Sequence, residues 1–439
     1  MPVAFALLLF VILASAATLA RRPGEGLGLP VVALMSFAFL YVVQPLFLLY
    51  QGQLDLFLTD RQVARAMLLP AVTLATFILG WLTSRPPRRT VARPWAPQRL
   101  WSFGLFTAAL GLVLYGIFVL RSGGFAGMYS LQHGGALAWT DNTAYLYMGP
   151  WWTIAGIAMM FLAASQIRRE PWRWAIPGCL TLVMCVNAVL LASRGFLFAT
   201  AAAALASIAL GRQWNVTLWR VAPVALAAGL CVLAMLAFRS VLYSGGVGAP
   251  LPDVAEALNS TMGHDASSLA RRVTGNEFIV HAAVLDTVDA TGKHHRGLNW
   301  LYVYLVHPIP RVLWPGKPYR FETSGIDDAD VYANTGIVIA GGAAPGIVAD
   351  LYANFGWFSI PFFWLFGTLA RRLHVRAVAL ASPLACVAYV MLLAAGLNCF
   401  AQGFGAILVP YPYSLGPVLL YALSQSALSS PARLWPCRP

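Results

Sequence analysis

Charge is what this sequence has least of. Asp, Glu, Lys and Arg make up 10% of its 439 residues, where soluble domains average near a quarter. With 59% hydrophobic residues and a mean hydropathy of +0.70, the chain cannot cover itself with a water-compatible surface, which excludes a soluble enzyme, a disordered regulator and a fibrous protein. Cysteine is sparse as well. The six, at 179, 185, 231, 386, 399 and 437, fall mostly inside apolar runs without disulfide or ligand spacing, and read as small hydrophobes. No H-E-x-x-H or Cys-x-x-Cys spacing occurs, and His264, His281, His294, His295 and His307 are adjacent or scattered, so neither a metal site nor a bound cofactor is expected. The G-x-x-x-x-G-K-[ST] phosphate loop is also missing, which argues against an ATP-driven pump.

Long apolar runs are what is there. A helix crosses a bilayer in about 17–25 apolar residues because each backbone amide must be satisfied within its own segment. The sequence predicts an all-α, polytopic membrane protein with eleven spans, near 2–20, 29–50, 66–84, 101–120, 149–167, 174–192, 196–211, 221–240, 346–370, 377–397 and 405–427. Three regions follow: N-terminal spans over 1–239, a long loop over 240–345, and C-terminal spans over 346–439. The loops alternate in charge. One set carries 17 Lys or Arg against two acids, Glu25 and Glu170; the other carries 12 against 14. By the positive-inside rule the first set is cytoplasmic, the N-terminus outside and the C-terminus inside. The net charge of +13 is thereby an orientation signal, and no nucleic-acid partner is expected.

The cytoplasmic loops are too short for a nucleotide-binding domain. The outer loop of about a hundred residues exceeds a connector's length and is the expected seat of function. Eleven of the 14 outer acids lie from Asp253 to Asp350, ten of them within the loop. Inside it, Leu298–Pro310 is apolar but only 13 residues long, which predicts an interfacial or re-entrant segment. The block Pro310-Arg311-Val312-Leu313-Trp314-Pro315-Gly316-Lys317-Pro318 follows, where its cations would meet a lipid phosphate; the plainer reading is a proline-stiffened turn with snorkelling cations. Arg194 at a tight outer turn and Arg239 at an outer span end defy the charge bias. Arginine at membrane depth reads first as functional, with an interfacial anchor as the alternative.

Ser193-Arg194-Gly195, Arg239, PRVLWPGKP and GGAAPGIVADLYANFGWFSIPFFWLFGTLARRL together resemble the Wzy-type O-antigen and exopolysaccharide polymerases, most closely over 190–375. The last block runs Asp350, Tyr352, Asn354, Phe355 and Gly356, with Asp350 where that family often has Glu; eleven spans is fewer than many relatives carry. The resemblance implies a GT-C-like glycosyltransferase of the bacterial inner membrane. Such an enzyme moves a growing glycan from one undecaprenyl diphosphate to the next lipid-linked repeat unit on the periplasmic face, without a metal. Its implied partners are that lipid-linked glycan, membrane lipid, a chain-length regulator and a flippase. On this reading Arg194, Arg239, Arg311 and Lys317 stabilise the departing diphosphate and Asp350 is the base. A helix-start acid favoured by the helix dipole is the bland reading of Asp350. Arg271, Arg272, Arg296, Trp314, Tyr319, Arg320, Tyr352 and Asn354 are the expected substrate contacts, aromatics among them stacking on sugar rings. An O-antigen ligase passing glycan to the lipid A core is the nearest rival. A polysaccharide flippase or exporter without chemistry is another, and should line its central helices with charge; here the charges cluster outside.

Overall fold

The computed structural model describes residues 1–22, 24–84, 95–124, 146–167, 170–190, 193–217, 271–306, 313–318, 325–340, 343–408 and 410–428, with single positions 219, 223, 269 and 309. Among these, 81% are helical and strand is nearly absent. The main helices are α1 (Pro2–Ala20), α2 (Leu29–Tyr50), α3 (Asp60–Thr83), α4 (Pro97–Arg121), α5 (Gly149–Ala164), α6 (Trp172–Leu190), α7 (Arg194–Gly211), α8 (Glu277–Thr291), α9 (Asp328–Thr335), α10 (Gly346–Phe355), α11 (Ser359–Val378), α12 (Pro383–Gln402) and α13 (Pro410–Leu428). Among the described residues, six are long and apolar enough to cross a membrane: α1, α2, α3, α4, α6 and α12.

Helices cover every predicted span except 221–240, which lies mostly outside the described residues. Their ends differ where caps decide them. The third begins at Asp60 because Thr59 and Gln62 form a reciprocal capping box, six residues ahead of the apolar run. The tenth begins at Pro383, where the Ser382 hydroxyl accepts the Ala385 N–H. Within the predicted span 346–370 the helix is interrupted: α10 stops at Phe355, and Gly356 takes φ 56°, ψ −133° before α11 begins, a conformation that glycine adopts without strain. Within Leu298–Pro310 the described residues form a four-residue α-turn, Leu298–Leu301, continued by a π-turn, Tyr302–Val306.

Close helix packing comes from small residues. Along the antiparallel α4–α5 seam a methyl group at Gly104 would meet Gly156 O at 2.9 Å, and one at Gly111 would meet Gly149 O at 2.6 Å. Only glycine lets these backbones touch.

The loops that charge sorts into two sets are also sorted in space. At one end Glu25 pairs with Arg371 (2.6 Å) and accepts from Trp81 Nε1 (3.1 Å), Gly26 N–H donates to Val216 O (3.0 Å), and Gln166 Nε2 donates to Gly211 O (2.5 Å). At the other end Gln44 donates to Glu277 (2.5 Å), Gln62 to Asp286 (2.9 Å) and Arg272 to Phe57 O (2.9 Å). A two-residue parallel ladder, Val273–Thr274 on Val338–Ile339, ties the long loop's flanks together at this second end.

Candidate functional site

Asp350 is the fifth residue of α10, which begins at Gly346. That places it beyond the first turn and sets aside the reading as a helix-start acid. Its carboxylate turns to a neighbouring backbone instead. Oδ2 accepts the N–H groups of Phe404 (2.7 Å) and Gly405 (3.4 Å), and Oδ1 accepts from Asn354 Nδ2 (3.1 Å). The chain segment before Leu298 is laid over α10: His295 N–H donates to Ala353 O (2.9 Å), Arg296 N–H to Asn354 O (3.0 Å) and Gly297 N–H to Asn354 Oδ1 (3.0 Å). Trp300 then inserts among Phe355, Phe362 and Phe404, with ring centroids 4.9–5.9 Å away.

Asp350 and His295 line one cavity of about 260 Å³, with Asp327 and Asp328 at its acidic edge and Val280, Val284 and Val331 among its apolar walls. The volume is near the lower end for small-ligand sites. The ten-residue α10 is too short to cross a bilayer and stands beside the Asp60 end of α3, where Arg65 reaches Tyr352. Burial pushes the Asp350 carboxyl up, to about 6, against the N–H groups that pull it down. Burial, and then neighbouring His294, push His295 below the usual imidazole range. A carboxyl poised near neutrality and facing a cavity can exchange a proton with a bound hydroxyl.

Beside this cavity lies a polar network that the sequence reading missed. Arg65 on α3 forms an ion pair with Asp289 on α8, and the Tyr352 hydroxyl accepts from Arg65 (2.9 Å) while donating to Asp289 (2.9 Å). One turn away Asp286 accepts from Gln62 (2.9 Å) and Asn334 (3.3 Å). The available signal was a matching spacing: Gln62 and Arg65 stand three apart, as do Asp286 and Asp289, so each pair shares one helix face.

Of the residues expected at the site, Asp350, Tyr352, Asn354 and Arg296 come together. Tyr352 and Asn354 are buried and engaged within the protein; the Tyr352 ring is flanked by Arg65, His294 and Trp357. Arg296 is exposed with φ 55°, and Arg271 is exposed beside half-buried Arg272. Trp314 is exposed, whereas Lys317 is buried and its Nζ donates to Ile309 O (2.9 Å). Arg194 is the first residue of α7, and its side chain lies outside the described residues, as do Arg239, Arg311, Tyr319 and Arg320 entirely. Among the described residues no group of three or more His, Cys, Asp or Glu is placed to hold a metal.

A helical bundle with six membrane-length apolar helices and a polar, cavity-bearing end is compatible with a multi-pass membrane protein. Comparison with protein-family models, with curated proteins and with solved structures gives no match.

Proposed function

We propose that the chain is a membrane-embedded, metal-independent glycosyltransferase that polymerises undecaprenyl-diphosphate-linked repeat units into O-antigen or exopolysaccharide. The motifs that resemble Wzy-type polymerases motivate the reading. The observation that carries it is Asp350: a half-buried carboxyl, pushed up to about 6, that faces a cavity at the end of the bundle bearing the long acidic loop. In this mechanism a hydroxyl of the incoming lipid-linked sugar gives its proton to Asp350 as its oxygen attacks the anomeric carbon of the growing glycan. The bond from that carbon to the carrier's phosphate oxygen breaks, and undecaprenyl diphosphate departs with the electron pair. Arg194, Arg239, Arg311 and Lys317 are the proposed clamp for the departing charge, a role that fixed guanidinium groups can fill without a metal. Eleven spans, a GT-C-like arrangement, an outside N-terminus and a bacterial inner-membrane location belong to the same proposal.

Glycan banding from a deletion strain tests the activity. A ladder reduced to one capped repeat, restored by the parent gene and not by Asp350→Asn, is the expected result. Loss of all attached glycan instead identifies a ligase, and an unchanged ladder overturns both readings. A reporter active only in the cytoplasm, fused near Gly263, should be silent; activity there would put the acidic loop on the wrong side for this chemistry.

A further inference from the structure

The end of the bundle that carries Glu25 and Arg371 also sets two arginines among tryptophans. Trp172-Arg173-Trp174 opens α6 there, and α7 ends alongside, its Gly211 O accepting from Gln166 Nε2 (2.5 Å). Arg173 is fully committed. Its Nε pairs with Glu170, its guanidinium lies over the rings of Trp172 (4.9 Å) and Trp101 (5.6 Å), and its carbonyl oxygen accepts from Trp101 Nε1 (3.2 Å). Arg212 has the same aromatic setting without the acid. Its guanidinium lies 4.6 Å from the Trp174 ring and 5.9 Å from the Trp214 ring. Among the described residues no carboxylate pairs with it.

The backbone builds this setting. α7 closes in a Schellman motif, with Trp214 N–H donating to Ala209 O (2.9 Å) and Gln213 N–H to Leu210 O (3.0 Å). The motif puts Gln213 at φ 51°, a left-handed position that normally falls to glycine and strains a residue with a β-carbon. Such strain gathers at ligand clamps. Here it turns the chain back and lays Trp214 beside Arg212.

The cluster also stands at the right depth. Trp172 is the first residue of a helix long and apolar enough to cross a membrane, and tryptophan at a span end sits at headgroup level. Trp172, Trp214 and Trp219 are exposed, as is Arg212, so the rings and the charge face outward together. A guanidinium grips phosphate through two parallel N–H groups. One already held between two indoles loses little further freedom when it does so.

We propose that Arg212, held between Trp174 and Trp214, binds the phosphate of an anionic phospholipid from the surrounding bilayer, with the two indoles against the lipid's glycerol and ester region. The site lies at the opposite end of the bundle from Asp350 and requires no particular enzymatic activity, so it stands or falls apart from the proposed function.

Native mass spectrometry of the full-length protein, released from neutral detergent, tests this. Phosphatidylglycerol, phosphatidylcholine and glycerol phosphate, the headgroup without its acyl chains, are offered at equal concentration. The expected result is one phosphatidylglycerol retained in preference to phosphatidylcholine, with no glycerol phosphate bound. Arg212→Gln, at an exposed position that should not disturb folding, should weaken this binding about fivefold, the contribution of one cation near anionic lipid. Trp214→Leu keeps the charge but removes one wall and should weaken it too. Arg376→Gln deletes another exposed charge, in the last turn of α11 at the same end, and should leave binding unchanged. Equal retention of the two lipids, or retention of glycerol phosphate as strong as that of phosphatidylglycerol, overturns the site. So does an Arg212→Gln variant that binds like the parent, or an Arg376→Gln loss as large as that of Arg212→Gln, which would mean diffuse attraction in place of a built site.

Discussion

The α4–α5 seam and the Asp350 end of the bundle solve the same problem, holding helices together, in opposite ways. At the seam four glycines bring backbone onto backbone, Gly104 on Gly156 and Gly111 on Gly149, and the Thr153 hydroxyl adds a long hydrogen bond to Ala108 O (3.4 Å), so contact comes mainly from shape. At the Asp350 end α8 is held by side chains: Glu277, Asp286 and Asp289 meet Gln44, Gln62 and Arg65. Shape is unforgiving and chemically silent, whereas a polar network tolerates single losses and offers groups that react. Activity should therefore be lost at the Asp350 end and stability at the seam.

The largest effect is expected from Asp350→Asn. A positioned general base is worth about 10²–10⁴ in rate, so polymer should fall by that factor while the amount of inserted protein is unchanged, as measured by single-turnover assay against quantified protein. The rate of the parent should rise as pH passes through about 6, where Asp350 loses its proton. Stability should move the other way. A carboxyl whose folded-state value lies above its unfolded value, about 4, holds its proton more tightly when folded. Its contribution is therefore full below about 4 and is lost as pH rises to about 6. A flat pH–rate profile across this window would remove Asp350 from the chemistry.

Next comes Gly111→Val at the seam. The added carbons would strike Gly149 O and Thr153, within 2.7 Å of the first of them. Overpacking costs roughly 1–3 kcal/mol where side chains can shift, and backbone cannot. Yield and Tm should fall, with activity per folded molecule preserved. A specific activity that falls in step with Asp350→Asn would erase the contrast between the two regions.

Arg65→Ala should be milder. The Arg65–Asp289 pair is about a third exposed on each side, so its loss is worth about 1 kcal/mol, and Tyr352 still donates to Asp289. A small drop in Tm is expected. The smallest change should follow Lys293→Ala, which removes the partner that holds the Asp330 carboxyl below its usual range. Exposed pairs contribute less than about 1 kcal/mol, and thermal unfolding at pH 7 should barely register it.

Much of the scaffold was legible because burial in a bilayer writes itself into composition. The apolar runs located the helices. Helix ends were less legible, since Thr59 and Ser382 act through a few local hydrogen bonds that hydropathy does not register. Asp350 was readable as a candidate site residue through the motif around it, but its bonds to Phe404 and Gly405 were not, because 54 residues separate Asp350 from Phe404.

By itself the sequence determined that this chain is helical, apolar and asymmetric in charge, because those properties depend on the residues present and their local order. Tertiary structure alone decided that α10 breaks at Gly356, that Tyr352 and Asn354 are committed within the protein, and that Arg65 meets Asp289 across 224 positions. The engagements of Tyr352, Asn354 and Arg65 are meetings of atoms from distant segments, and hydrogen bonds and ion pairs act over a few ångströms of space whatever the distance along the chain.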